Sequence, residues 1–324
     1  MKVLLFGGTR FMGRYVTEAL LSLGANVTVA NRGTRQENTG AKSVICDRSK
    51  PDSLSQFAES NFDVIIDFSA YSSAWVKEAG EFFAGKIKKY IFISTGAVYT
   101  SSNSFPIRED FPKGPPHPFA DYAREKNISE SLLREFSEKG YFATTVCRLP
   151  FVLGPQNYED RESFVFSRLL LERPILLENG GKSIHSFIYA GDVADAVIAI
   201  MDAGESVDRQ AFNIAIPEGI TSRGFVEIAG QVCNKTPNFH SYNSDDFKLD
   251  VSSFNLRDVA FPFPENNALL SSEKIQKELN FVPKKSLPQM LEIYLEWWLR
   301  QGNLEPNEYA LEQQILKTLL PQTQ

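Results

Sequence analysis

The chain has 324 residues, 43% of them apolar and 23% charged, a balance that excludes general disorder and allows a sizeable core. Lys and Arg number 34 against 40 Asp and Glu, a net charge of −6, so the overall balance offers no basic face to a nucleic-acid backbone, and a nucleic-acid partner is not expected. No uncharged apolar run approaches the ~18 residues of a membrane span, and residues 3–6 are too short for a signal-peptide core.

Three cysteines (Cys46, Cys147, Cys233) lie far apart with no CxxC pair, which suits a reducing cytoplasm better than a disulfide framework or zinc site. The three histidines (His117, His185, His240) are equally dispersed, so no metal is expected.

Residues 3–6 (VLLF) form a continuous apolar run, the mark of a parallel strand buried on both faces. A glycine turn follows at 7–13, then a helical stripe through Val16, Leu20 and Leu23 that stops at Gly24. Further strands are predicted at 27–30, 43–46, 63–67, 90–94 and 143–148, with helices over 53–60, 74–85 and 122–139. This alternation predicts an α/β fold, a Rossmann-type doubly wound parallel sheet. Residues 101–120 carry five prolines and read as a stiff loop, and 154–163 are polar and turn-rich. Past 155 the alternation weakens. The predicted division is a dinucleotide-binding domain over 1–155 plus about 186–218. A smaller, mostly α substrate-binding domain takes 156–185 and 219–324. Residues 307–324 read as a terminal helix with a polar tail.

Gly7-Gly8-Thr9-Arg10-Phe11-Met12-Gly13 sits between a strand and a helix. Such a turn lets backbone N–H groups approach a pyrophosphate at the positive end of a helix. The second strand ends Ala30-Asn31-Arg32-Gly33, with no carboxylate for the adenosine ribose. Arg32 stands there instead, with Arg10 on the adjacent turn and Arg35 just beyond. Guanidinium forks suit a 2′-phosphate, so NADP is preferred and NAD remains the alternative; the bland reading is that these arginines are solvated loop residues. Asp47, after the third strand, is either an adenine acceptor or a turn aspartate.

Tyr122 and Lys126 fall at i and i+4 of one helix, so they share a face. An ammonium beside a phenol lowers its pKa from the usual ~10 towards acid–base competence near neutrality. Thr95, in STGAVY (94–99), ends the fifth strand, where doubly wound sheets hold ligands.

Taken in order, these motifs resemble the extended short-chain dehydrogenase/reductase family, the NAD-dependent epimerase/dehydratase family, nearly end to end. GGTRFMG resembles its G-x-x-G-x-x-G turn, and STGAVY its S-S-x-x-V-Y segment. YAREK (122–126) supplies the Tyr and Lys. RLPFVLGP (148–155) resembles R-P-x-N-x-x-G-P, and HSFIYAGDVA (185–194) resembles R-D-F-I-x-V-x-D-V-A. The GGTRF variant is similar to the branch of chloroplast stem-loop-binding proteins and bacterial relatives.

The resemblance implies an NAD(P)-dependent enzyme acting on a hydroxyl or carbonyl carbon, with a nucleotide-sugar 4-epimerase or a reductase among the options. Tyr122 would transfer the proton, Thr95 would bind the reacting oxygen, and Lys126 would bind the nicotinamide ribose. Gly7, Thr9, Arg10, Phe11, Met12, Gly13, Asn31, Arg32, Asp47, Phe68, Ser69, Ala70 and Leu149 would contact the dinucleotide. Tyr99, Phe151, His185 and Arg257 are the substrate candidates, although Phe151 replaces the Asn of R-P-x-N and His185 replaces an Arg that grips a nucleotide diphosphate. Gly96 and Ala97 occupy the positions of the dehydratases' acid pair, so a 4,6-dehydratase is not expected. Relatives suggest a homodimer through helices near 74–85 and 122–139. The alternative reading is a non-enzymatic NAD(P)-binding regulator or RNA binder of the same fold.

Overall fold

The computed structural model describes residues 1–33, 40–114, 120–247, 260–302 and 304–320. In its first half β1 (Lys2–Phe6), α1 (Phe11–Ser22), β2 (Asn26–Asn31), β3 (Lys42–Ile45), β4 (Val64–Asp67), α2 (Ser73–Phe82), β5 (Lys89–Thr95), α3 (Ala120–Glu138) and β6 (Ala143–Leu149) follow one another. Then come β7 (Phe151–Leu153), α4 (Glu162–Leu170), β8 (Pro174–Glu178), β9 (Ile184–His185), β10 (Phe187–Tyr189), α5 (Ala190–Asp202) and β11 (Gln210–Asn213). The rest comprises β12 (Ile220–Thr221), α6 (Ser222–Cys233), β13 (Asn238–Tyr242), α7 (Glu273–Leu279), α8 (Leu287–Arg300) and α9 (Ala310–Leu319).

Seven strands form one parallel sheet in the order β11-β6-β5-β4-β1-β2-β3. The two-residue period of a strand sends alternate side chains to opposite faces. Val3 and Leu5 enter the core shared with Val16 and Leu20 of α1 and with Val193 and Val197 of α5. Leu4 and Phe6 enter the core shared with Val76 and Ala79 of α2 and with Leu133 and Phe136 of α3. Apolar residues stand at both parities, so both faces must be covered, and the α/β crossovers cover them.

Two expectations change. The predicted helix over 53–60 is only a 3-10 turn at Ser55–Phe57; so short a helix is marginal, and its serines add little propensity. Of residues 186–218, assigned above to the sheet domain, β11 joins the sheet beside β6, whereas β10 pairs with β7 in a separate two-stranded ladder. These two strands lie between cores: Val152 and Ile188 face the α1–α5 side, while Leu153 and Phe187 face a further core built by α4, α6 and α8. In that core Phe166 stacks on Tyr294 at 6.3 Å between centroids. Arg168 and Glu312, both buried, pair through two bonds of 2.6 and 2.5 Å and fasten α9 to it.

Candidate active site

A cavity of about 780 Å³ opens at the C-terminal ends of the sheet strands, where doubly wound folds hold ligands. One wall is the glycine turn. A Cβ placed on Gly13 would fall 2.2 Å from the Gly7 carbonyl oxygen, so only glycine lets α1 start this close to β1. Gly7 itself has φ +87°. The first turn of α1 carries no acidic side chain, leaving its positive end unopposed. Gly7, Thr9, Arg10, Phe11, Met12 and Gly13 all line the cavity, and this turn fits a pyrophosphate.

Asn31, Arg32, Asp47, Phe68, Ser69 and Leu149 also line it. Asn31 accepts from the Gly33 amide at 2.8 Å, closing the end of β2. Asp47 accepts from the Ser49 amide at 3.1 Å and hydroxyl at 2.7 Å, the pattern of a turn aspartate. Those bonds, with lesser help from Lys50 and Arg32, hold its carboxyl below the usual range. Arg10 is exposed and its guanidinium lies 4.5 Å from the centre of the Tyr158 ring, a cation–π seat that carries it across the cavity mouth.

The catalytic candidates meet at the middle of the cavity. Thr95 ends β5, its hydroxyl accepting from the Ala97 amide at 3.2 Å, and it lines the cavity together with Tyr122. Tyr122, on the first turn of α3, is 36% exposed because it faces the cavity. Its pKa is not lowered, as the Tyr–Lys spacing predicts, but pushed up to about 12. Burial of its hydroxyl end is the largest cause, and Thr95 and the charge of Arg161 only partly offset it. Lys126 is not aimed at the phenol: its ammonium donates 2.8 Å to the Ile93 carbonyl and sits 4.6 Å from the Phe92 ring centre. It is 2% exposed, and burial pulls its pKa down to about 8.

A buried network steadies this centre. Glu130 of α3 receives Ser94 at 2.6 Å, Arg148 of β6 at 3.2 and 2.8 Å, and Lys113 at 2.9 Å. Burial raises its carboxyl, but these partners more than reverse the effect and hold it below the ordinary range. The network locks α3 to β5 and β6, and so fixes Tyr122 against Thr95.

Several assigned residues stand elsewhere. Ala70 is buried in the core beneath α2 and does not line the cavity; Tyr71 does, because the chain turns after Ser69. Tyr99 borders the cavity but is 2% exposed. Its hydroxyl is engaged by Arg148 at 2.8 Å and Asn213 at 2.6 Å, so it braces the wall. His185 is fully buried outside the lining, 3.1 Å from the Ser222 hydroxyl and among Phe151, Phe187 and Phe263. Burial lowers its pKa to about 3 and keeps it neutral, so it is a core residue rather than a substrate ligand. Phe151 does line the cavity. Arg257 and Arg35 lie outside the described residues.

Lining residues that escaped the sequence reading include Arg48, Tyr71, Tyr158 and Arg161. Arg48 is buried and pairs with the fully buried Asp67 at 2.7 Å. Its position beside Asp47 was the only available signal. Tyr158 and Arg161 lie in the 154–163 segment, whose polar composition reads simply as a turn.

A family model described as the NAD dependent epimerase/dehydratase family matches residues 3–215. The chain belongs to this family. The chloroplast stem-loop binding protein of 41 kDa b of Arabidopsis thaliana is 28% identical over 307 residues, covering 90% of the chain and 77% of that protein. The dTDP-D-glucose 4,6-dehydratase of Mus musculus is 26% identical over 229 residues, covering 70% of the chain and 60% of the mouse protein. The UDP-glucose 4-epimerase of Thermotoga maritima, solved with UDP-glucose, superposes with a TM-score of 0.75 at 21% identity over 94% of the chain and 100% of the epimerase, which shows the shared fold.

The exclusion of 4,6-dehydratases drawn from Gly96 and Ala97 is overturned. The family includes dehydratases, and a 4,6-dehydratase is among the relatives. An acid or base for elimination has to be near the substrate in space, and other walls of the cavity also bear ionisable groups, Glu159 among them. Among the described residues no helix is long and apolar enough to cross a membrane, and no cluster of three or more His, Cys, Asp or Glu could hold a metal.

Proposed function

We propose that the chain is a nicotinamide-dinucleotide enzyme that oxidises or reduces a hydroxyl- or carbonyl-bearing carbon of a small molecule, as an epimerase or reductase, with NADP preferred. The reading is carried by one observation: Thr95, Tyr122 and Lys126 share a cavity with the glycine turn. A bound dinucleotide would supply the hydride acceptor and donor, held at its phosphates by residues 7–13. Lys126 holds the ribose beside the reacting carbon. Thr95 donates to the substrate oxygen, and Tyr122 takes or returns its proton at the phenolic oxygen. The cofactor preference rests on Arg10 and Arg32, both exposed on the lining, and on the absence of a carboxylate at 30–33.

Nicotinamide fluorescence titration tests this reading. NADPH is expected to bind more tightly than NADH, and Arg32→Ala to weaken NADPH alone; tighter NADH binding reverses the preference. Tyr122→Phe is expected to bind NADPH normally while losing hydride exchange with a panel of UDP- and dTDP-sugars. The chloroplast stem-loop binding protein among the relatives suggests the competing reading. Retention of an RNA stem-loop that weakens steeply with salt, together with no dinucleotide binding, would favour it.

A further inference from the structure

Phe151, Arg161, Ser186, Pro264, Asn266 and Asn267 line part of the same cavity. Two of its polar side-chain atoms are buried without a hydrogen-bond partner: Arg161 Nε and Asn266 Oδ1. Buried polar groups are rarely left this way in a finished structure, and an orphan pair in a cleft asks for a ligand.

Two of the lining cations are already engaged. Lys126 donates to a backbone carbonyl, and Arg48 is neutralised by Asp67. Arg161 pairs with no carboxylate among the described residues; its guanidinium lies 5.2 Å from the centre of the Phe151 ring. Phe151 is itself fixed at 4.9 Å from Phe263 and 5.4 Å from His185. A planar cation is therefore held in a fixed seat, with its donors unspent. His185, where the family motif has an arginine, is buried and neutral and offers no charge to a substrate. The cation seated on Phe151 is Arg161.

We propose that Arg161 binds an oxyanion of the substrate, a carboxylate or a phosphate, and that Asn266 receives a neighbouring hydroxyl. The substrate is thereby a hydroxylated acid, a sugar acid or sugar phosphate, whose charge lies close to the carbon that reacts at Tyr122. Arg161 and Tyr122 line the same cavity, so one small molecule can meet both. Arg161 is a specificity residue: a fork on a fixed aromatic base favours a planar or tetrahedral oxyanion over a neutral sugar. The inference rests on the oxidoreductase reading of this cavity.

The test uses the full chain saturated with NADPH. Calorimetric titrations with glucuronate, glucose 1-phosphate and glucose are compared in wild type, Arg161→Leu and Arg161→Lys. The two acids are expected to bind wild type and glucose not to; whichever acid binds more tightly identifies the source of the oxyanion. Arg161→Leu is expected to weaken that acid at least tenfold and Arg161→Lys to restore part of the loss, with NADPH affinity equal in all three proteins. Equal binding of acid and neutral sugar, an acid affinity untouched by Arg161→Leu, or no binding of any probe to the NADPH-loaded chain would overturn the proposal. Failure to bind NADPH at all would overturn the oxidoreductase reading instead.

Discussion

Lys126 and Tyr122 stand one turn apart on α3, yet the ammonium of Lys126 is 5.7 Å from the Tyr122 ring centre and donates to the Ile93 carbonyl instead of the phenol. The lysine is thus buried as a charge with a single neutral acceptor, and burial lowers its pKa from 10.5 to about 8. Between those values the unfolded chain holds the proton and the folded chain has released it. Burying the charge therefore costs stability below pH 8, roughly 3 kcal/mol by the size of the shift, and the cost fades as pH rises towards 10.5. Lys126→Met is expected to raise the denaturation midpoint at pH 7 and to lose most of that gain by pH 10. An equal effect at both pH values, in urea melts, would show that the ammonium is not strained by burial.

Arg48 and Asp67 make the opposite case. Asp67 is fully buried and accepts from Arg48 at 2.7 Å, Tyr90 at 2.5 Å and the Ser69 amide at 3.0 Å. Removing one partner strands the other charge in the core. Arg48→Met is expected to cost about 3–5 kcal/mol, and Arg48→Met with Asp67→Asn to recover a large part of it. Additive losses in the double variant would show that the two groups are not energetically coupled.

Glu162 is fully buried at the start of α4, receiving the Gly154 amide and the Asn157 side chain, both at 2.8 Å. Burial outweighs those bonds and raises its pKa to about 7 from 4.5. The folded state holds a proton that the unfolded chain has lost across that window, so the stability this carboxyl contributes when protonated is lost as pH rises from 4.5 through 7. Glu162→Gln is expected to be nearly neutral at pH 4.5 and stabilising by about 1–3 kcal/mol at pH 8. A stabilisation that does not grow with pH, in parallel urea melts, contradicts this.

The sheet and the glycine turn were legible because they depend on local rules. Apolar runs mark strands buried on both faces, and Gly13 follows from the contact its missing Cβ permits. Thr95, Tyr122 and Lys126 were legible from spacing along one strand end and one helix face. Partners distant in sequence were not. The spacing of Tyr122 and Lys126 cannot reveal that Ile93 takes the ammonium, and the charge of His185 cannot be read without Phe151 and Phe263 around it. Arg161 was hidden for the same reason: the 154–163 segment reads as a polar turn until the fold lays its arginine on Phe151.

The 2′-phosphate assignment can be separated from the rest of the site. Arg32→Ala is expected to reduce NADPH affinity about tenfold while leaving NADH affinity within a factor of two, since a charge-assisted contact is worth about 1.5–3 kcal/mol. Parallel losses for both dinucleotides, in fluorescence titrations, would place Arg32 outside the discriminating contacts.

The most direct measurement is an NADPH titration of the wild-type chain beside Gly13→Ala, whose Cβ would fall 2.2 Å from the Gly7 oxygen and 2.9 Å from Gly8 Cα. Saturable binding to wild type, weakened at least tenfold in the variant while circular dichroism stays native, is the predicted result. Equal binding by the two proteins, or no binding by wild type, would contradict a dinucleotide at the glycine turn.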